Sequence, residues 1–579
     1  MTTQLLDGSE RLGVVGSPST TLELVTDVLG GAVQRKLVGE LAALEFQQDG
    51  ISHVALGQIT EVELRNPWHE DPTMRSLIRQ RGRVDAVSER QDIHIGKMTL
   101  SAVFGKRAQG QYDAAFMGTV PSTGTFIHLV DDTILRQLLA RFQQQLFYMG
   151  HVYGSRPMLP TWFKHFGSGQ DGAGEAYHIG VFGKSGSGKS HLTKMILTAY
   201  ARHPDLSLLV IDPQGEFAKL ASAQGSDSWK FGDTLRGLGR RITAINVKRL
   251  VLDTWSLFIE IALEGRIFQT ISGPTGEVAS NALEYLKQKL TSKGVKLSEI
   301  SSHASFDTFW SLLKDAEVQK IIYRSADSRT RFSDAVGAAN PDEFFTNVWQ
   351  PITALFDRNR QGSKAISDAL KYVIEKKADK PIVIIDLSLK DEGGALLWND
   401  RIQALVIKRL LDELKRIAES HYKDDKSLNM LVVLDEAHRL APRETPDIDA
   451  ASAVRSSLID AVRTTRKYGL GWLFVSQTLS SLHQEILGQL RMYFVGFGLA
   501  LGQEFQSLRQ IAGSSEAALG LYQSFRDPQS ALDAASRQYS FMTVGPASPL
   551  SFAGTPLFLN VFSTPEAFWT ANSLRHSGS

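Results

Sequence analysis

A chain of 579 residues that is 42% hydrophobic and 22% charged has material for several domains and large buried cores. With no cysteine, disulfides, thiol catalysis, cysteine zinc ribbons and iron–sulfur clusters are excluded, and no HExxH zinc motif is present. The net charge of +1 lacks the excess that an open DNA-wrapping face usually shows, so composition is silent on nucleic acid and any contact has to come from local positive charge such as pore loops.

No apolar run reaches the roughly 18 residues of a membrane span. The opening residues lack a cationic stretch followed by an apolar one, so no secretory signal is read. A cytoplasmic location without a membrane partner is expected.

The first ~150 residues read as short strands broken by turns. Leu22 to Val28, Leu37 to Phe46, Ile51 to Leu64 and His94 to Phe104 are the candidate strands, and Gly30-Gly31, Asp49-Gly50 and Gly105 punctuate them. Such spacing predicts a small barrel or sandwich. Ile134 to Met149 then reads as a helix, with Leu135, Leu138, Leu139, Phe142 and Leu146 on one side. From Tyr177 strands alternate with helices, the pattern of a largely parallel sheet. His178 to Phe182, Leu208 to Ile211, Ile242 to Val247, Ile382 to Leu387, Leu431 to Leu434 and Trp472 to Val475 are its candidate strands. Between about 250 and 375 helical spacing takes over, with Phe306, Phe309, Trp310 and Leu313 following Ser305 as an expected N-cap. Ile402 to Ala418 is a further helix, carrying Leu410, Leu411, Leu414 and Ile417 as its apolar stripe.

The sharpest local signal is Gly183-Lys184-Ser185-Gly186-Ser187-Gly188-Lys189-Ser190, which satisfies GxxxxGK[ST] between an apolar strand and a helical run. Glycines let consecutive N–H groups turn inward at a helix N-terminus, making a concave anion cradle that runs on to His191. In that role Lys189 reaches the β- and γ-phosphates of ATP and the Ser190 hydroxyl binds Mg2+.

A second signal is Leu431-Val-Val-Leu-Asp435-Glu436, an apolar strand ending in two acids. Asp435 is placed to hold the magnesium, and Glu436 to orient or deprotonate the attacking water. Another strand ends in Ile211-Asp212-Pro-Gln-Gly215-Glu216-Phe217, so Asp212 or Glu216 is a candidate assistant to Glu436, against the alternative of a Pro-Gly turn with solvated acids. Gln477, after the last strand, is a candidate γ-phosphate sensor or simply a strand-end cap. The basic run Arg358, Arg360 and Lys364 is better read as a solvated loop than as a phosphate contact.

Together these residues resemble the HerA family, within the HerA–FtsK group of P-loop DNA translocases. The resemblance rests on the P-loop, the Ile211 to Phe217 segment, Leu431 to Leu440, and the stretch from Arg463 to Thr478. More loosely, it includes Glu10 to Val25 as the opening of a barrel and His151 to Pro160 leading toward the ATPase. It implies an α/β fold: a RecA-like P-loop ATPase core with an N-terminal β-barrel and an inserted helical bundle. The implied partition is 1–155 barrel (HAS-barrel-like), 156–250 first part of the core, 251–375 helical insertion, 376–565 second part of the core, and 566–579 tail. It further implies a homohexameric ring around double-stranded DNA, with ATP and Mg2+ between neighbouring copies and an arginine supplied in trans. Arg466 is the first candidate for that arginine and Arg463, one helical turn earlier, the second. Family members work with a NurA-like nuclease, or with sirtuin-like or nuclease effectors in antiviral defence, and such an effector is the implied partner.

Two functions follow. One is an ATP hydrolase acting as a DNA translocase or helicase; the other is an ATP-regulated hexameric platform that organises an effector without processive movement. A conjugative or secretion ATPase would share the core, but no membrane segment is read. Asp435-Glu-Ala-His438 spells DEAH. Helicases of that name place the motif nearer the P-loop and follow it with QRxGRxGR, whereas the similar Gln80-Arg81-Gly82-Arg83 precedes the P-loop here.

Overall fold

Alternation of apolar and polar residues along the N-terminal strands gives each one buried face, and the strands close on themselves to cover it. In the computed structural model, residues 5–84, 90–107, 110–169, 172–221, 229–375, 380–389, 396–446, 449–513, 515–533, 536–551 and 554–574 are described. They fall into two units, Met1–His203 with Ser228–Leu238 and Leu473–Ser579, and Pro204–Asp227 with Gly239–Trp472.

In the first unit the ring of strands runs Glu23–Val28, Arg11–Val15, Phe126–Leu129, Leu41–Gln48, Ile51–Arg65 and Ile93–Lys106, which pairs back to Glu23–Val28. This is a closed barrel filled by Leu24, Leu44, Ala55, Met98, Leu100 and Ile127. Closure removes the free edges that an open sheet would expose.

The next segment departs from the expected helix over 134–149. Asp131 caps a helix over Asp132–Leu138, a tighter turn spans Ala140–Gln145, and Phe147–Val152 is a strand. Leu135, Leu138, Leu139 and Leu146 are all buried, so their spacing was a sign of burial rather than of one continuous helix. From Phe147 onward sheet pairing wins: His151 and Gly150 align with Asn560 and Val561, and a Cβ on Gly150 would collide with the Asn560 carbonyl. The same unit holds His178–Phe182 between two parallel neighbours, Leu473–Ser476 on one side and Leu490–Gly496 on the other.

The second unit contains four parallel strands in the order Ile242–Asn246, Ile382–Asp386, Ser207–Asp212 and Met430–Leu434. The two inner strands and Met430–Leu434 are apolar almost throughout and buried, as strands covered on both faces are. Helix Asp400–Lys423, capped by Asn399, buries Leu410, Leu411, Leu414 and Ile417.

Between residues 250 and 375 the structure is mainly helical, and Phe258, Phe306, Phe309 and Trp349 form its aromatic centre. Two expectations change here. Ser302, not Ser305, caps helix His303–Lys314, because its hydroxyl accepts the Ser305 N–H at 3.2 Å while the Ser305 hydroxyl turns to the Glu299 carbonyl. The run at 358–364 is not a solvated loop throughout. Arg360 donates to the Lys248 and Leu250 carbonyls at 2.7 and 2.9 Å, and Lys364 lies 4.2 Å over the Tyr372 ring. Burial lowers the Arg360 pKa, so its charge is spent holding backbone. Among the described residues no helix is long and apolar enough to cross a membrane.

Candidate nucleotide cradle and acid cluster

The strand His178–Phe182 is buried at every position and delivers the chain into the glycine loop. Gly186 and Gly188 have φ of 82° and 91°, which other residues rarely adopt. Space requires glycine as well: a Cβ on Gly188 would lie 2.7 Å from the Tyr539 ring, and one on Gly186 would strike Gln529. The loop is therefore clamped by the C-terminal segment that carries these two side chains. Lys184 N–H donates to the Phe497 carbonyl and Ser187 N–H to the Lys184 carbonyl, both at 3.1 Å.

Helix Lys189–Ala201 starts directly on the loop, with Gly188 at its N-cap. Lys189 Nζ donates to the Lys184 carbonyl at 3.1 Å, so the lysine is folded across the loop that it serves. Ser190 is the second residue of the helix and partly exposed. The Ser185 hydroxyl donates to Gln477 Oε1 at 3.1 Å, which places Gln477 against the loop. The Ser187 hydroxyl is buried without a hydrogen-bond partner.

His191 has a different setting. Its ring lies 3.8 Å from Trp229, 5.7 Å from Phe231 and 6.0 Å from Tyr539. Burial, with Lys194 nearby, pushes its pKa down to about 4. The imidazole is thus a packing group, and any part His191 has in the cradle falls to its backbone.

In the second unit the strand Met430–Leu434 runs into Asp435 and Glu436, which are only 4% and 8% exposed. Glu436 has φ 51°, the left-handed region that a non-glycine residue enters at some cost. Its N–H donates to Asp435 Oδ1 at 3.0 Å, and its Oε2 lies 3.4 Å from His438 Nδ1. Burial and the charges of Glu216, Glu436 and Asp212 push the Asp435 carboxyl up to about 7, despite that backbone hydrogen bond.

Asp212 plays a separate part. Its Oδ1 accepts from Gly215 and Glu216 N–H, and its Oδ2 from Phe217 and Ala218 N–H, at 2.8 to 3.1 Å. It is fully buried and its pKa is raised by burial and by Asp386 against the pull of those N–H groups. Both oxygens of Asp212 are occupied in organising the turn that carries Glu216, which leaves Glu216 as the candidate assistant.

Sequence reasoning missed Asp386, which lies in register with Asp212 and Asn246. Its Oδ1 accepts from the Ser388 N–H and hydroxyl at 3.0 and 2.6 Å, and its Oδ2 from Asn246 Nδ2 at 2.8 Å. The signal was available: Ile385-Asp386 ends its strand in the same way as Ile211-Asp212 and Leu434-Asp435. Gln529 and Tyr539 had no such signal, since neither belongs to a motif.

A cavity of about 500 Å3 opens beside Glu436, lined by Pro213, Trp398, Asn399, Gln403 and Arg439 among others. Arg463 lies in the last turn of helix Asp449–Thr464, and Arg466 begins the separate turn Arg466–Tyr468; both are exposed.

The donor chemistry fits magnesium. Burial and the nearby carboxylates of Glu216, Glu436 and Asp212 raise the cost of ionising Asp435, a cost that a hard cation relieves. Among the described residues no group of three or more His, Asp or Glu side chains is spaced to chelate a metal outright.

Parallel buried strands, a glycine loop opening a helix, and an acid-tipped strand define the fold of a P-loop ATPase core. Residues 176–414 match the family model described as Helicase HerA, central domain. Over that central stretch the chain is similar to HerA helicases. Two DNA double-strand break repair helicases HerA, from Sulfurisphaera tokodaii and Sulfolobus acidocaldarius, are each 25% identical to it over 315 and 316 residues. Those stretches are 54% of this chain and 53% of each relative, so the chain spans about half the length of the curated relatives it matches. Among solved structures, VirB4 of Thermoanaerobacter pseudethanolicus is 14% identical with a TM-score of 0.37, covering 73% of this chain and 97% of that one. The bacterial conjugative coupling protein TrwB is 12% identical with a TM-score of 0.34, covering 67% and 85%.

Proposed function

We propose that this protein is an ATP-driven motor that moves double-stranded DNA through a ring of six copies. The observation that carries the reading is the acid cluster. A buried Asp435 whose carboxyl is destabilised by Glu216 and Glu436 makes sense where a cation arrives with each substrate molecule. The names of the curated relatives support DNA as the cargo.

In this reading the glycine loop and the acids serve one magnesium nucleotide. Magnesium-ATP supplies the electrophilic phosphorus and a charge that spreads in the transition state. Loop N–H groups and Lys189 hold the β- and γ-phosphates, while Ser190 and Asp435 hold the ion. Glu436 orients the attacking water and takes its proton, with Glu216 as a second carboxylate for that proton. Gln477, bonded to Ser185, reports the state of the γ-phosphate. Arg466 or Arg463, exposed on their own copy, completes the site of the next one. The barrel of residues 1–155 and the helical segment 251–375 are additions to an ATPase core formed by 156–250 and 376–565.

The test is Glu436→Gln. It should retain nucleotide binding while lowering DNA-stimulated hydrolysis by at least about 100-fold, the lower range for a lost general base. Hydrolysis close to wild type, or a wild-type protein whose hydrolysis ignores DNA, removes the motor reading and leaves the platform.

A further inference from the structure

The two longest barrel strands, Ile51–Arg65 and Ile93–Lys106, pair as far as Arg65 with Ile93 at the barrel's rim. The chain between them makes a short turn, Pro67–Glu70, and a helix, Pro72–Arg81. Neither contains a buried residue. The helix is well built for a segment that packs on so little. Asp71 caps it by accepting the Thr73 and Met74 N–H groups at 2.8 and 3.0 Å, and Pro72 stands at its first position. Met74, Leu77 and Ile78 form its half-buried apolar side, while Arg75, Arg79 and Arg81 are exposed.

Its charge identifies a partner's chemistry. Residues 65–84 carry five arginines, at 65, 75, 79, 81 and 83, against Glu70 and Asp71, an excess of +3 confined to the helix and its flanks, since the rest of the excursion adds Arg90 against Asp85, Glu89 and Asp92. Three neighbouring acids are engaged: Asp71 in the cap, Asp92 with the Asn66 amide at 2.7 Å, and Glu63 with Arg65 and Lys97 at 3.4 and 3.6 Å. Arg75 and Arg79 stand one turn apart on the helix, beside Thr73, Ser76 and Gln80. Arg75 Nε is fixed by the His69 carbonyl at 2.9 Å, which aims the guanidinium while leaving its terminal nitrogens for other acceptors. Cations in the last turn also complement the helix dipole, but that accounts for Arg79 and Arg81 alone.

We propose that this rim helix binds the phosphate backbone of double-stranded DNA, through Arg75, Arg79 and Arg81. A polyanion is the partner that complements a cluster of planar donors interspersed with hydroxyl and amide groups. It also resolves the problem set by composition, since a nearly neutral chain needs its DNA contacts concentrated in one place. The inference rests on the reading of DNA as cargo and adds a contact outside the ATPase core. Trp68, Leu64 and Ile93, exposed by 45%, 61% and 44% at the base of the excursion, mark the competing possibility of a protein partner.

The experiment is duplex binding by the full-length protein, followed by fluorescence anisotropy of a labelled mixed-sequence DNA across a salt series. In the triple variant Arg75→Gln, Arg79→Gln, Arg81→Gln, affinity at moderate salt should fall by about tenfold and the salt slope by about 2 to 3. DNA-independent ATP hydrolysis and particle mass should not change. A control carrying Leu64→Ser and Trp68→Ser should bind DNA as wild type does. An unchanged affinity and slope in the arginine variant, with wild type binding normally, overturns the rim contact and leaves the motor reading intact. So does a loss of particle mass in either variant, which would make the excursion a protein interface. Failure of the wild-type protein to bind duplex at all removes both.

Discussion

Burial and its acidic neighbours make an ionised Asp435 costly to the folded chain. Its carboxyl titrates near 7 in the folded chain against an ordinary value of 3.8, because burial and neighbouring carboxylates oppose its charge. The folded state therefore holds the Asp435 proton more tightly than the unfolded state does. Stability relative to an uncharged side chain is undiminished below pH 3.8, declines as pH rises toward 7, and stays reduced above. Asp435→Asn should accordingly stabilise the nucleotide-free protein at pH 8, by roughly a few kcal/mol, while abolishing hydrolysis. Thermal melting of both proteins from pH 4 to 8 checks this: the gap in Tm should open between pH 4 and 7 and then level off. A constant gap would mean that the corner is not electrostatically strained. At this scale the strand-end position of Asp435 and Glu436 and the helix-start position of Lys189 were legible because a motif's backbone setting is local. His191 was not, since the rings that enclose it come from residues 229, 231 and 539.

Elements were legible where one residue pattern has one structural outcome. The run Ile382 to Ile385 and its parallel neighbours are too short and too β-branched for a buried helix, and each became a strand. The stretch 134–149 failed because buried leucines satisfy a helix and a helix–turn–strand equally, and only pairing with Leu557–Val561 decides between them. The turn after Ser207–Asp212 shows what the sequence conceals: Pro213 to Glu216 reads as an ordinary turn, yet four N–H groups, two of the turn and two just beyond it, converge on one buried carboxylate. Asp212→Ala should strand those donors, several of them partly buried, and cost roughly 2–3 kcal/mol. Because the turn carries Glu216, hydrolysis should fall more than nucleotide affinity. Equal losses in both would reduce Asp212 to general scaffolding, and a Tm within a degree or two of wild type would show that the turn holds its shape without it.

For the molecule as a whole, the arginines decide whether one chain suffices. The acid corner of the second unit holds Asp212, Glu216, Asp435 and Glu436, while Arg463 and Arg466 sit at the exposed end of a helix and in the turn after it. Nothing in residue order distinguishes an arginine that serves its own chain from one that serves a neighbour, so this is the least legible part of the site. It is separable by mixing. In the proposed motor, Lys189→Ala should fail to hold phosphate yet still lend its arginine, and Arg466→Ala should hold phosphate yet lend nothing. Each should be inactive alone as a ring of one kind. In randomly mixed rings, about one site in four pairs an intact Lys189 with an intact neighbouring Arg466, so about a quarter of wild-type hydrolysis should return if sites fire independently. Recovery would place Arg466 in trans and demonstrate the ring in a single measurement. If mixing restores nothing, Arg463→Ala in the same pairing decides between a mistaken residue and a mistaken assembly, because a chain whose site is complete by itself gains nothing from any neighbour.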